Sequence, residues 1–119
     1  YEYGADGSKE VWSGLSDLYG REGVEISDQD IKERLLFRQV IEALKCLETG
    51  VLRSVADGNI GSIMGIGAPA WTGGLLQFVN TYGLQNFIDR CDELSEAYGD
   101  RFAAPAIVAE NLVAGDTFV

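Results

Sequence analysis

A chain of 119 residues is the size of one domain, with material for a single core and not for two. Its 46% hydrophobic and 24% charged residues are ordinary globular composition, which sets disorder aside. Nine basic against nineteen acidic residues leave a net charge of −10, a field that repels nucleic acid and anionic lipid.

Residues 1–26 are punctuated by Gly4, Gly7, Gly14, Gly20 and Gly23, and read as an irregular arm or linker with a short helical turn near Leu15–Leu18. Tyr1, Tyr3, Trp12 and Tyr19 are too many aromatics for a solvated tether. The arm is therefore expected to lie on the core, with Trp12 and Leu15 as anchors. The domain proper, residues 27–119, opens at Ser27 or Asp28, both good N-caps, with Asp30 in the first turn where the helix dipole favours it. The spacing predicts a long helix to about Glu48, stopped by Gly50. Leu36, Val40, Ala43, Leu44 and Leu47 form one stripe, while Ile31 and Leu35 face the other side beside Glu42 and Cys46. A helix with apolar residues on two sides is central to its domain or shared with a neighbour.

A second helix is predicted from about Val55 to Met64, capped by Ser54, with Gly58 and Gly61 suited to close packing. The segment GIGAPAWTGG, residues 65–74, holds four glycines and Pro69 and is the most irregular part of the core. A third helix starts near Gly73 with Thr72 as cap and ends at Tyr82–Gly83; a fourth covers 84–98. Pro105 introduces a fifth over 106–114, closed by Gly115. Strand-like alternation is confined to Val24–Ile26, so the expected class is all-α, a compact bundle of about five helices.

Chemistry is sparse. With no histidine, a His-containing metal site, a His general base and a Ser-His nucleophile are excluded. Cys46 and Cys91 have no CxxC or zinc-like spacing and sit in helical patterns, as buried free thiols do; they fit a reducing, cytoplasm-like compartment, or equally an organelle matrix. GIGAPAWTGG has neither GKS/GKT nor GxGxxG and joins two helices, so tight packing explains it better than a phosphate cradle. Glu42 follows Arg38 by four, the spacing of an intrahelical ion pair. Asp89, Arg90, Asp92 and Glu93 read as a solvated helix face. No apolar run approaches a membrane span, no signal peptide is visible, and Tyr1 in place of an initiator methionine suggests a piece of something longer.

Several stretches together resemble the C-terminal domain of 3-hydroxyacyl-CoA dehydrogenases, including the multifunctional fatty-acid oxidation proteins. Tyr1-Glu2-Tyr3 resembles the end of a GKGFYxY segment that closes the family's first C-terminal repeat. Glu33-Arg34-Leu35-Leu36 with Glu42 through Gly50 resembles ERxL…NEAxxCLEEG. Residues 65–83, with Gly65, Gly67, Pro69, Gly73, Gly74 and Gly83 as framework positions, resemble GxGFPxxxGGxxxxxDxxG, and Tyr98-Gly99-Asp100-Arg101-Phe102 resembles the closing YGxRF.

The resemblance implies a helical fold like the C-terminal domain of 6-phosphogluconate dehydrogenase. It also implies a parent enzyme that oxidises L-3-hydroxyacyl-CoA with NAD, in multifunctional versions alongside an enoyl-CoA hydratase region. NAD and the catalytic His–Glu pair belong to a preceding Rossmann domain, and a substrate-assisting Asn to the first repeat. Here Glu33 stands in the place of that Asn, Asn80 in that of the signature's Asp, and Ile41 in that of the Asn before Glu42. This looks like a degenerate second repeat with no catalytic, cofactor or metal residues of its own, serving to pack against the preceding repeat and the Rossmann domain, or to self-associate when alone. Two alternatives stay open: a direct contribution to the acyl-CoA pocket through Arg34, Trp71 or Phe78, and an unrelated acidic helical interaction module.

Overall fold

Ser27 starts the longest helix. Its hydroxyl accepts the Asp30 N–H at 3.1 Å, and α2 then runs Asp28–Glu48 in the computed structural model, which describes residues 1–119. Ahead of it, β1 (Glu2–Tyr3) and β2 (Lys9–Glu10) form a small antiparallel hairpin, followed by α1 (Gly14–Tyr19). Behind it come α3 (Val55–Ile66), α4 (Leu75–Tyr82), α5 (Leu84–Tyr98) and α6 (Ala106–Ala114), with 3₁₀ turns at Ala70–Thr72 and Asp100–Phe102. The all-α class is borne out, and α2–α6 are the five bundle helices.

One cluster makes the core: Phe37, Val40, Ile41 and Leu44 of α2 meet Leu75, Leu76, Phe78 and Val79 of α4, Phe87, Cys91 and Leu94 of α5, and Val108 of α6. Phe37 is its hub, stacked on Phe87 at 4.7 Å between centroids and edge-on to Tyr82 at 5.3 Å. The buried stripe of α2 is thus rotated from the expected one. Phe37 and Ile41 are fully buried while Leu36 and Leu47 lie half-buried at its margin, because α4 and α5 pack on that side. Ile41 stands where the family pattern has Asn, and its position in the core explains an apolar residue there.

The arm does not lie on the core. Trp12 and Leu15 are 47% and 43% exposed and α1 buries no residue, so the expected anchors are corrected. Their apolar faces are turned toward Tyr1 and Val11 instead, around a shallow hollow within the arm. The radius of gyration of 17.5 Å exceeds the roughly 13–14 Å of a compact chain this long, as a projecting arm requires. The hairpin escaped the strand pattern because two-residue strands carry no alternation; its signal was the turn Gly4-Ala5-Asp6-Gly7, where Asp6 accepts the Ser8 N–H.

Helix α4 starts at Leu75, two residues after the expected Gly73, and Thr72 is not its cap. The Thr72 hydroxyl accepts the Gly74 N–H and donates to the Pro69 carbonyl, closing the 3₁₀ turn. The caps come from α3 instead. Asn59 Oδ1 accepts the Leu76 and Gln77 N–H groups at 3.0 and 2.9 Å, and Ser62 Oγ accepts that of Leu75 at 3.2 Å. Close approach of α3 and α4 needs small residues, and a Cβ at Gly58 would lie 2.7 Å from Leu76 Cδ1. Gly61 faces open space, so close packing explains only the first of the two glycines.

Asn80 ties down the C-terminus. Its side chain donates to the Phe118 carbonyl at 2.8 Å and accepts the Phe118 N–H at 2.9 Å, holding the Phe118 ring in the core. An amide can do both; a carboxylate, as in the family signature, can only accept. Asn80→Asp is expected to lower stability by about 2 kcal/mol, since it sets a carboxylate against a carbonyl oxygen. Urea unfolding checks this, and an unchanged midpoint would show that the Phe118 segment contributes nothing.

Candidate functional site

Most backbone donors of the glycine segment are taken: the N–H groups of Ala68, Thr72, Gly73 and Gly74 are bonded locally, while those of the exposed Ala70 and Trp71 are not. Gly67 (φ 71°) closes α3, Gly73 (φ 74°) closes the 3₁₀ turn, and the first three N–H groups of α4 are taken by Asn59 and Ser62. Phosphate cradling there would require displacing those side chains. Gly50 (φ 75°) and Gly83 (φ 88°) likewise occupy left-handed turn positions, whereas Gly65 lies inside α3.

Titratable side chains cluster elsewhere, between α2 and α5. The Arg90 guanidinium bonds Glu33 through Nε at 2.6 Å, Asp30 through Nη2 at 2.5 Å and Glu93 through Nη1 at 2.6 Å. Glu33, 8% exposed, also accepts from Gln29 at 2.6 Å and from the Tyr82 hydroxyl at 3.1 Å. Tyr98 donates to Asp30 at 2.6 Å. That hydrogen bond first, then Arg90, holds the Asp30 carboxyl below the usual range. Burial and then the Glu33 charge push the Tyr82 hydroxyl up to about 12. For Arg90, burial opposes the charge but the bonds to Glu93, Glu33 and Asp30 outweigh it and raise its pKa. Every group is paired, so the cluster is built to hold two helices together. Arg90 is therefore not part of a solvated face, as the run Asp89–Glu93 had suggested. Glu33 points inward to this cluster, the opposite of a residue offered to substrate.

Glu42 makes the expected intrahelical pair with Arg38 at 2.7 Å and adds Lys45 at 3.2 Å, and these two, Lys45 first, lower its pKa. Arg38 also donates to the Arg101 carbonyl, joining α2 to the Asp100–Phe102 turn. Cys91 is buried and desolvation pushes its thiol up to about 12, so it is protonated and inert near neutrality. Cys46 is half-buried and free.

Three hollows follow the second face of α2. One, about 540 Å³ and largely apolar, lies against α3 and is lined by Gln39, Cys46, Leu52 and Ile66. The next, about 520 Å³, brings together Leu35, Trp71, Phe78 and Tyr82. A third, about 400 Å³, lies between Ile31, Leu35 and Phe102 and carries Arg34. Trp71 and Phe78 thus share a cavity, with rings 6.5 Å apart, while Arg34 stands on the other flank of α2. Leu35 and Trp71 are 66% and 76% exposed, and Ile31, Val51 and Ile66 are exposed as well. The second apolar side of α2 expected from its spacing is present, and within this chain nothing covers it.

No helix is long and apolar enough to cross a membrane. No family model matches the chain. Its relatives among curated proteins are named fatty acid oxidation complex subunit alpha. The chain is 41% identical to that of Vibrio vulnificus over 78 residues, 66% of this chain and 11% of the relative. It is 36% identical to that of Shewanella amazonensis over 105 residues (88% and 14%), and 32% identical to that of Shewanella loihica over 123 aligned positions (99% and 17%). The chain therefore spans only 11–17% of the length of these relatives. The resemblance read from Glu42–Gly50 and from residues 65–83 is borne out, which sets aside an unrelated acidic module: the chain is homologous to a segment of the fatty acid oxidation complex alpha subunits.

Proposed function

We propose that this chain is a non-catalytic helical repeat of an NAD-dependent L-3-hydroxyacyl-CoA dehydrogenase of fatty-acid β-oxidation. Its role is to pack against the preceding helical repeat and the dinucleotide-binding domain of the same polypeptide. The parent oxidises L-3-hydroxyacyl-CoA to 3-oxoacyl-CoA in the cytoplasm, binding NAD outside this segment, and in multifunctional form also carries an enoyl-CoA hydratase region. The uncovered apolar face where α2 meets the Ala70–Thr72 turn, with Leu35 and Trp71 at its centre, carries this reading. Burying two such side chains contributes roughly 1.5–3 kcal/mol each, enough to favour a partner. The fully paired state of Glu33 and Arg90 supports the non-catalytic half, since neither has a free valence for substrate.

Two measurements test the halves separately. The chain incubated with an L-3-hydroxyacyl-CoA and NAD is expected to produce no NADH absorbance; turnover would overturn the non-catalytic half. An apolar dye such as ANS is expected to fluoresce strongly with the chain and weakly with Leu35→Ser/Trp71→Ser. Equal fluorescence from both would overturn the packing half. A second reading, a direct contribution to the acyl-CoA pocket, draws on the cavity shared by Trp71 and Phe78. Saturable binding of an acyl-CoA that is lost in Trp71→Ser would favour it over pure packing.

A further inference from the structure

Of the six arginines, only Arg38 and Arg90 form ion pairs. Arg21, Arg34 and Arg101 take part in none. All three line one cavity of about 600 Å³, where the end of the arm meets α2 and α5, with Glu25 as its only acidic residue. That volume falls within the roughly 300–1,000 Å³ usual for small-molecule sites. The Arg34 guanidinium carbon lies over the Tyr98 ring, 4.1 Å from its centroid, and Tyr98 is fixed in turn by its hydrogen bond to Asp30. Arg101 leans on the Phe102 ring at 5.2 Å, and its backbone carbonyl accepts from Arg38. Stacking orients a guanidinium while leaving its N–H edge free, the arrangement that suits bidentate recognition of a phosphate. The net charge of −10 opposes an incoming anion, and two carboxylates are near: Glu25 lines the cavity and Asp30 is bonded to Tyr98 in its wall. Charges beyond the screening length of about 8 Å are damped at physiological salt, while the three guanidiniums are local.

We infer that the cavity between Arg21, Arg34 and Arg101 is a binding site for a diphosphate group, of the kind a nucleotide carries. The site lies on the flank of α2 away from Trp71 and Phe78, and its Arg34 and Arg101 also border the hollow that holds Leu35. It also lies outside the glycine segment.

Calorimetric titration of the 119-residue chain with inorganic pyrophosphate and with ADP tests the site. Saturable binding of one equivalent is expected, tighter than ~1 mM. Losing the charge-assisted bonds in Arg34→Gln/Arg101→Gln should weaken it about tenfold or more. Arg53→Gln, an exposed arginine elsewhere, should leave it unchanged, and circular dichroism should show both variants folded. If the double variant does not fold, Arg21→Gln alone, in the arm and away from the core, is expected to weaken binding. ADP binding more tightly than pyrophosphate identifies a nucleotide as the source of the group; equal affinity identifies free diphosphate. Absence of saturable binding, or equal loss in Arg53→Gln, overturns the assignment.

Discussion

Replacing Gly74 by alanine is expected to cost about 4 kcal/mol, the sum of backbone strain and overpacking. Gly74 sits at φ 113°, where L side chains are strained, and an added Cβ would lie 2.5 Å from the Asn59 Cα. That neighbour is backbone, so α3 itself would have to move. Its movement would withdraw Asn59 and Ser62 from the start of α4 and leave three N–H groups there unpaired. Gly61→Ala is the control, since Gly61 lies in helical backbone facing open space; it is expected to stabilise by roughly 0.5–1 kcal/mol. Thermal or urea unfolding of the two variants decides the matter, and similar midpoints for both would mean that the α3–α4 contact is not a close one.

Arg90→Met is expected to cost about 3 kcal/mol. The side chain is 20% exposed, and removing its guanidinium leaves the nearly buried Glu33 carboxylate with only neutral donors, Gln29 and Tyr82. In Glu33→Gln/Arg90→Met the stranded charge is gone, so the double variant should cost less than the sum of the singles by 1 kcal/mol or more, roughly. Additive losses would contradict the coupling. This cluster, through Asp30, and the separate Arg38–Glu42–Lys45 group set an acid limit. Asp30 and Glu42 have folded pKa values lowered from 3.8 and 4.5, so their contribution is present above those values. It is lost as pH falls below them toward the depressed folded values. Arg90→Met and Tyr98→Phe should flatten the acid side of a stability–pH curve, because each removes a cause of the Asp30 shift.

Much of the fold is legible in local signals. Ser27 and Ser54 cap α2 and α3 as their positions suggest, and Gly50, Gly83 and Gly115 end or separate helices where the pattern stops. What escapes is whatever depends on residues distant in the chain. Thr72 is the natural cap by sequence, but Asn59 and Ser62, more than ten residues upstream, do the capping because α3 lies across the start of α4. Arg90 has acidic neighbours on both sides and reads as surface, yet its partners Asp30 and Glu33 come from the other end of the core, 60 and 57 residues away. Trp12 and Leu15 read as anchors because aromatics favour burial; the arm instead gathers them around its own hollow and projects. Of the proposed site residues, Trp71 and Phe78 were placed together by the fold and Arg34 apart from them. The companions of Arg34, Arg21 and Arg101, are separated from it by 13 and 67 residues and left no motif.

The second apolar face of α2 is the feature from which the proposed packing role follows, and sedimentation equilibrium addresses it most directly. The chain is expected to rise above its monomer mass as concentration increases, and Leu35→Ser/Trp71→Ser is expected to remain monomeric over the same range. A wild-type chain that stays monomeric at every concentration and binds no apolar dye would contradict the role.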